Sequence, residues 1–163
     1  MSEHEYEARM RVLDAARKSV SIYDGPAVFL EGFAKLPTAV GDLLATHWVV
    51  SEVNNGAFPQ FFANSTGVLA PEAASGLLRM GLEPASAAVV EAMALFSPVY
   101  PRERKPRHAA VNAATARNAS PEASAFLDQL LRLSLKFLES LGHDCVEYDD
   151  AFERYLLAHV PVV

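Results

Sequence analysis

Residues 47–67 contain two helix-breaking clusters separated by a short aromatic segment, and this spacing restricts the fold more than any other feature. An apolar helical run ends at the sequence NNG over residues 54–56. The chain restarts as FPQFF over residues 58–62 and breaks again as NSTG over residues 64–67. Asn and Gly tolerate the positive φ that ends a helix, and Pro suits a first helical turn. The stretch predicts a helix, a tight corner with Gly56 at positive φ, a short helix and a second corner.

The rest of the chain has helical rather than strand periodicity, which predicts an all-α class. Thr38 is expected to cap the central helix, with Asp42 complementing its positive end. The sequence PVYPRERKPR, residues 98–107, is expected to be a surface loop because it contains three prolines and many charges. Helices are expected over residues 4–21, 26–36, 38–53, 71–80, 84–97, 121–141 and 149–159, with a weaker one over 109–119. We therefore predict a single domain, 1–163, of eight or nine helices around a buried central helix.

Composition supports a folded chain and indicates the cellular compartment in which it is expected. Hydrophobic residues make up 51% of the 163 residues and charged residues 21%, which argues against disorder. Cys145 is the only cysteine, so no intrachain disulfide can form. The first 18 residues alternate acids and bases, and no run of 18 apolar residues occurs. We therefore expect a cytoplasmic protein that does not contact a membrane.

The charge is unevenly distributed. The net charge is −6, yet residues 102–107 hold four bases and one acid. From Glu139 to Glu153 there is no Lys or Arg. That segment carries six carboxylates, which are Glu139, Asp144, Glu147, Asp149, Asp150 and Glu153. They either keep a helix end soluble or form an acidic interaction face, which would repel nucleic acid and attract basic protein surfaces.

The sequence lacks the usual arrangements of catalytic and metal-binding residues. No two of the five histidines stand four residues apart, and no cysteine pair or H-E-x-x-H is present. Glycine-rich nucleotide loops and the G-x-S-x-G elbow are also missing. We expect no catalytic residue, no metal and no cofactor. Acidic neighbours predict an unreactive thiol at Cys145.

Polar residues within the central stretch allow two interpretations. His47 and Glu52 stand five apart, so about 140° separates them around a helix and they need not meet. Gln60 and Asn64 stand four apart and should project together. In the structural interpretation their buried amides bind backbone groups of the two corners. In the alternative, residues 54–64 line a pocket for a small molecule.

The corner also carries a family resemblance. Residues 55–67 read NGAFPQFFANSTG, which resembles the N-G-G-F-x-Q-[FY]-[FY]-x-N-x-x-G core of the bacterial DNA mimic protein 19 family. Ala57 replaces the second glycine of that pattern. Weaker similarity at Trp48 and residues 77–81 extends the resemblance over about residues 38–100. The corner residues we single out are Trp48, Glu52, Asn54, Asn55, Gly56, Phe58, Gln60, Phe61, Phe62, Asn64 and Gly67.

The resemblance implies a non-enzymatic protein that binds a protein partner. In its most specific form, surface carboxylates imitate DNA phosphates and occupy the site of a DNA-binding protein, without direct nucleic acid binding by this chain. The alternatives are a small-molecule binder or enzyme using residues 54–64, and an immunity-like partner without DNA mimicry. Nine of the sixteen residues from Phe126 to Leu141 are large and apolar. This surplus is expected either to be buried in a homodimer or to lie under the N-terminal helices of the same chain.

Overall fold

The computed structural model describes residues 3–161, with side chains from Glu7 onward, and its regular elements are helices. The α-helices are α1 (Glu3–Ser19), α2 (Pro26–Phe33), α3 (Thr38–Ala63), α4 (Ala70–Arg79), α5 (Glu83–Ala94), α6 (Arg104–Thr115), α7 (Pro121–Ser140) and α8 (Val146–His159). Short 3-10 helices span Ser65–Leu69 and His143–Cys145. No strand occurs within residues 3–161. The all-α class predicted from the sequence is confirmed.

Local sequence signals set several helix boundaries. Helices α4, α5 and α7 each have a proline in the first turn, where the missing N–H would have had no partner. Ser120 caps α7, since its side chain accepts a hydrogen bond from the amide of Ala123 at 3.2 Å. Gly81 and Gly142 follow α4 and α7 at φ of 82° and 78°, the left-handed region that glycine enters without strain. These helix starts and stops allow short connections between helices.

Helix α3 lies at the centre of the packing. It contacts α1, α4, α6, α7 and α8, so its apolar residues are covered on several sides. Leu43, Leu44 and Val49 are fully buried, and one hydrophobic cluster continues from Leu13 to Leu156. None of the helices described here combines the length and apolarity that a bilayer crossing requires.

Two details at the start of α3 differ from the prediction. Thr38 is the first helical residue and Pro37 occupies the cap position. Asp42 is buried, and its carboxylate receives both a two-point bond from the Arg79 guanidinium and a 2.7 Å bond from the Tyr155 hydroxyl. Asp42 therefore links α3 to α4 and α8. Its burial is stabilised by these donors because an unpaired buried carboxylate would be costly.

The prediction of a surface loop over residues 98–107 was wrong at its end. Helix α6 begins at Arg104 and ends at Thr115, rather than spanning 109–119. Pro106 fits because it stands in the first turn, where backbone N–H groups lack helical partners. Arg107 is fully buried. The proline and charge content gave no indication that this arginine points inward.

Candidate functional site

The first corner is a kink inside α3. Gly56 has φ −159° and ψ 29°, whereas Ala57 has φ 60° and ψ −176°. The prediction of positive φ at Gly56 was therefore wrong, because the left-handed residue is the next one. The conformation of Ala57 is one that glycine adopts far more readily than any residue with a side chain. Alanine thus stands in a strained position where the family pattern has glycine.

Gly56 is needed for space rather than for backbone freedom. A Cβ atom on Gly56 would lie 2.2 Å from Oε1 of Gln60 and 2.9 Å from its Cβ. The glycine lets the Gln60 side chain fold back over the kink. A valine at position 56 is still expected to destabilise the fold, now through steric overlap.

The carboxylate of Glu52 holds the two corners together. Its Oε2 accepts hydrogen bonds from Nε2 of Gln60 at 2.8 Å and Nδ2 of Asn64 at 2.9 Å. Its Oε1 accepts one from the Thr66 hydroxyl at 2.8 Å. Gln60 and Asn64 project together, but they are half-buried and bind a side chain. The expectation that both amides are largely buried and bond to backbone was therefore wrong, because Glu52 reaches across the kink.

A buried serine completes the first corner from another helix. The amide of Phe58 donates to Oγ of Ser134 at 2.9 Å, and the serine hydroxyl donates to the Leu130 carbonyl at 2.7 Å. The kink would otherwise leave the Phe58 amide buried without a partner. Phe61 and Phe62, which follow in the restarted helix, are fully buried. Sequence reasoning missed Ser134, which looks like an ordinary polar position in α7.

The asparagines before the kink lie at the surface. Asn54 donates through Nδ2 to the Val50 carbonyl at 3.0 Å and to Sγ of Cys145 at 3.3 Å. Asn55 is exposed. Trp48, nearly two turns earlier in α3, stacks on Phe29 with ring centroids 6.0 Å apart. Asn54 therefore links the first corner to the connection before α8, and Trp48 links α3 to α2.

The second corner is surrounded by side chains from the 100–107 segment. The end of α3 carries backbone carbonyls without helical partners, and cationic donors satisfy them favourably. Arg107 Nη1 donates to the backbone carbonyls of Phe62 at 2.5 Å and Asn64 at 2.9 Å. Arg104 Nε donates to the carbonyl of Ala63 at 2.9 Å. In the following 3-10 helix, the Tyr100 hydroxyl donates to the carbonyl of Gly67 at 2.7 Å and Arg102 Nη1 to the carbonyl of Val68 at 2.5 Å. Arg102 also forms an ion pair with Glu72. The basic segment therefore stabilises the corner, and we call its four donor residues, Tyr100, Arg102, Arg104 and Arg107, the collar.

Arg107 is the deepest part of this collar. Burial lowers the pKa of its guanidinium. A Cβ atom on Gly67 would lie 2.1 Å from Arg107 Nη1, so glycine leaves the space that the guanidinium fills. Burial also raises the pKa of the neighbouring Tyr100 hydroxyl. The hydroxyl therefore stays protonated and donates to Gly67.

His47 does not meet Glu52 in any hydrogen bond described for this structure. Burial, together with the smaller effect of the positive charges of Arg9 and Arg17, lowers the pKa of His47 to about 4, while Asp149 acts in the opposite direction. The imidazole is therefore neutral near neutral pH. It serves as a half-buried side chain of α3 rather than as half of an acid-base pair.

Three pockets of the described chain have no lining residue from the polar stretch 54–64. One of about 290 Å³ is lined by Phe33, Asp42 and Arg79, and one of about 240 Å³ lies between α1 and α8. A third, also about 240 Å³, adjoins the start of α6. None of the three is lined by Gln60 or Asn64. Since those amides already bind Glu52, the geometry disfavours a ligand site at residues 54–64.

The acidic segment lies at the end of α7 and the start of α8. Glu139, Asp144, Glu147 and Asp150 are exposed, whereas Asp149 forms an ion pair with Arg9. The sixth carboxylate, Glu153, is half-buried and makes its own interactions. The sequence also allows Glu3, Glu5 and Glu7 to extend this face; Glu7 is exposed, and the side chains of Glu3 and Glu5 lie outside the described residues. Among described residues no cluster of His, Cys, Asp and Glu could hold a metal ion.

The fold and the corner together define a class, an all-α protein whose central helix bends at an N-G-x-F-x-Q corner and whose last helix begins in an acidic segment. The family model for DMP19-like proteins matches residues 34–159, and the chain belongs to that family. The match extends well beyond the residues 38–100 that carry the resemblance in sequence. Neither the curated proteins nor the solved structures give a further match.

Proposed function

We propose that this protein is a non-enzymatic interaction protein that presents the carboxylates of residues 139–153 to the DNA-binding site of a protein partner. Membership of the DMP19-like family supports an interaction role of this kind. The observation that carries the proposal is the exposed, unneutralised state of four carboxylates. DNA-binding proteins gain much of their affinity from neutralising phosphates, so a cluster of exposed carboxylates can compete for the same basic residues.

The four carboxylates keep their charge available to a partner. In residues 7–161, no Lys or Arg pairs with Glu139, Asp144, Glu147 or Asp150. Asp144 lies 3.1 Å from Nδ1 of His143, a pair that is ionic only when the histidine is protonated. The neighbouring backbone has Asp144 and Cys145 at positive φ, which turns the chain sharply between α7 and α8. An approaching basic surface would meet these carboxylates directly.

The basic segment does not contradict this proposal. Arg102 is paired with Glu72, and Arg104 and Arg107 bind carbonyls of the second corner. Their positive charge is thus partly used to stabilise the bent end of α3. The protein can combine a basic sequence segment with an acidic interaction surface because the two serve different purposes.

A homodimer through α7 would enlarge the acidic surface. Leu130 and Phe137 of α7 and Leu141 directly after it are buried, while Leu131 and Leu135 are 42% and 61% exposed. The two exposed leucines stand four apart and share one helix face. A two-fold contact there would cover them and place two acidic segments on one assembly. We include this dimer in the proposal.

Capture from lysate followed by displacement with duplex DNA tests the proposed function. Immobilised protein captures partners from the cells that produce it, and bound proteins are then eluted with a duplex oligonucleotide and identified. One variant neutralises the proposed face with E139Q, D144N, E147Q and D150N. A matched control removes the same four charges from exposed carboxylates elsewhere with D24N, E31Q, E83Q and D128N.

We expect a DNA-binding protein that duplex DNA elutes, that the control variant retains and that the face variant loses. The strength of this interaction should fall steeply with salt. Equal capture by both variants would refute the acidic face. A partner that the face variant loses but duplex DNA does not displace would instead identify an immunity-like interaction without DNA mimicry.

A further inference from the structure

A small pocket lies beside the start of α6, and its charged lining residues are mostly basic, unlike those of the acidic segment. Its volume is about 240 Å³. The walls come from the connection between α1 and α2, from the first 3-10 helix and from residues 102–107. Its charged lining residues are Arg102, Glu103, Arg104, Lys105 and Arg107. Four of these five carry positive charge.

The starts of two helices line the same pocket. Gly25 and Pro26 begin α2, and Glu103 and Arg104 begin α6. Neither start has a side-chain cap. The first N–H groups of a helix lack internal partners and carry a partial positive charge, which favours anions.

Arg107 provides an observation that does not depend on the helix ends. It lines the pocket and is fully buried, yet its Nε has no hydrogen-bond partner within the described residues. Its other nitrogens bind carbonyls, and no carboxylate of residues 7–161 pairs with it. A buried guanidinium without a counter-ion is costly, and a bound anion would remove that cost.

The remaining charges of the pocket differ in availability. Arg102 is compensated by Glu72, and Glu103 opposes an anion. Arg104 uses Nε for the Ala63 carbonyl. Lys105 is exposed and makes no ion pair with any described carboxylate, so it is free to close over a ligand.

We propose that this pocket binds a phosphate-type oxyanion, either free phosphate or the monoester group of a small organic phosphate. Its volume is below the range for drug-sized ligands, which suits a single compact anion. Arg107 forms the fixed base of the site, the starts of α2 and α6 supply N–H groups, and Lys105 adds a mobile charge. This site is separate from the acidic face and does not depend on the proposed DNA mimicry.

Titration calorimetry on the full chain tests the site with inorganic phosphate and with ribose 5-phosphate, each against chloride at equal ionic strength. Saturable binding with a Kd of about 1 mM or tighter is expected. Lys105→Glu should weaken it at least about tenfold, since the substitution removes a charge-assisted contact and adds a carboxylate that repels the anion. Arg117→Glu makes the same charge change two residues beyond α6 and should preserve binding.

Lys105 is preferred to Arg107 as the tested residue because Arg107 also supports the second corner, and its loss would damage the fold. Arg104→Gln provides a second exposed variant that should weaken binding. Amide chemical shifts of labelled protein should move on phosphate addition at Gly25, Ser65 and Lys105. Absence of binding by both ligands up to about 10 mM would overturn the proposal. Equal weakening by Lys105→Glu and Arg117→Glu, or by neither, would also overturn it.

The two ligands distinguish the source of the oxyanion. Similar affinity for phosphate and ribose 5-phosphate would assign the site to the phosphate group alone. A gain of tenfold or more for ribose 5-phosphate would assign it to an organic phosphate whose sugar contacts the neighbouring wall. Tyr23, which is 90% exposed on that wall, would then be the contact, and Tyr23→Ala should remove the gain.

Discussion

Gly67 leaves the space that the Arg107 guanidinium fills, because a Cβ atom on the glycine would lie 2.1 Å from Nη1 of the arginine. The same Cβ would lie 2.7 Å from the Phe61 carbonyl oxygen. Neither neighbour can withdraw easily, because the arginine is fully buried and the carbonyl belongs to the restarted helix. The second corner therefore depends on a glycine for steric reasons.

Gly67→Ala should lower the free energy of unfolding by about 2 kcal/mol or more, in the range for overpacked cores. Gly32→Ala is a suitable control, because its Cβ would meet only Cγ1 of Val20 at 3.3 Å within a helix. Urea unfolding followed by circular dichroism measures both variants. A Gly67→Ala protein as stable as the wild type would contradict the steric account.

Ala57→Gly should stabilise the protein by about 1 kcal/mol, because glycine relieves the strain of φ 60° with extended ψ. The same exchange at Ala87, an exposed interior position of α5, should destabilise by about 1 kcal/mol. Opposite signs for one chemical change would tie the effect to backbone conformation. Thermal unfolding of the two variants provides the comparison, and a loss of stability at position 57 would count against the strain.

Glu52→Gln should cost about 1 to 3 kcal/mol of stability, since an amide NH₂ would face donors that now bind a carboxylate oxygen. Glu91→Gln removes an exposed carboxylate paired with Lys136 and should change stability by less than about 1 kcal/mol. Denaturant unfolding of both variants tests this difference. Similar losses for the two would show that Glu52 holds the corners less strongly than its three bonds suggest.

Stability should fall as the pH is lowered from about 6.5 to about 4 through His47. In this window the unfolded chain binds a proton at His47 while the folded protein, with its pKa of about 4, does not. The effect should reach on the order of 2 kcal/mol near pH 5. The charged groups that face this imidazole are Arg9, Arg17 and Asp149. His47→Gln should flatten this part of the pH profile, and parallel profiles for both proteins would refute the assignment.

The proposed α7 dimer predicts the molecular mass of the wild type and how substitutions in α7 change it. Light scattering of the wild type at micromolar concentration should give twice the chain mass of 17.7 kDa. Replacing both Leu131 and Leu135 by Glu should return it to 17.7 kDa, because two charges would enter an apolar contact. Replacing the exposed Val28 and Leu78 by Glu makes the same change elsewhere and should preserve the dimer. A monomeric wild type would exclude the dimer.

Sequence reasoning predicted the features of the fold that depend on neighbouring residues. The helix starts at Pro71, Pro84 and Pro121 and the stops at Gly81 and Gly142 are set within one turn of chain. The central helix was also predictable, because its apolar residues leave little polar surface. The position of the positive φ was misplaced by one residue, because glycine is the residue that tolerates a positive φ and alanine carries no local signal for one.

Sequence reasoning could not predict the side chains that reach the corners from distant segments. Asp42 resembled a helix-start charge, yet its partners Arg79 and Tyr155 are 37 and 113 residues away. Arg107 resembled a loop charge, and only the placement of α6 turns it inward. Such contacts depend on how helices pack, which periodicity alone does not specify.

The Phe58 amide and the Ser134 hydroxyl stand 76 residues apart in the chain, and Phe62 stands 45 residues from Arg107. During synthesis the bend in α3 is made before either partner. Contacts between such distant residues form late because a large loop must close first. The central helix therefore reaches its bent form only after α6 and α7 have been made and have docked against it.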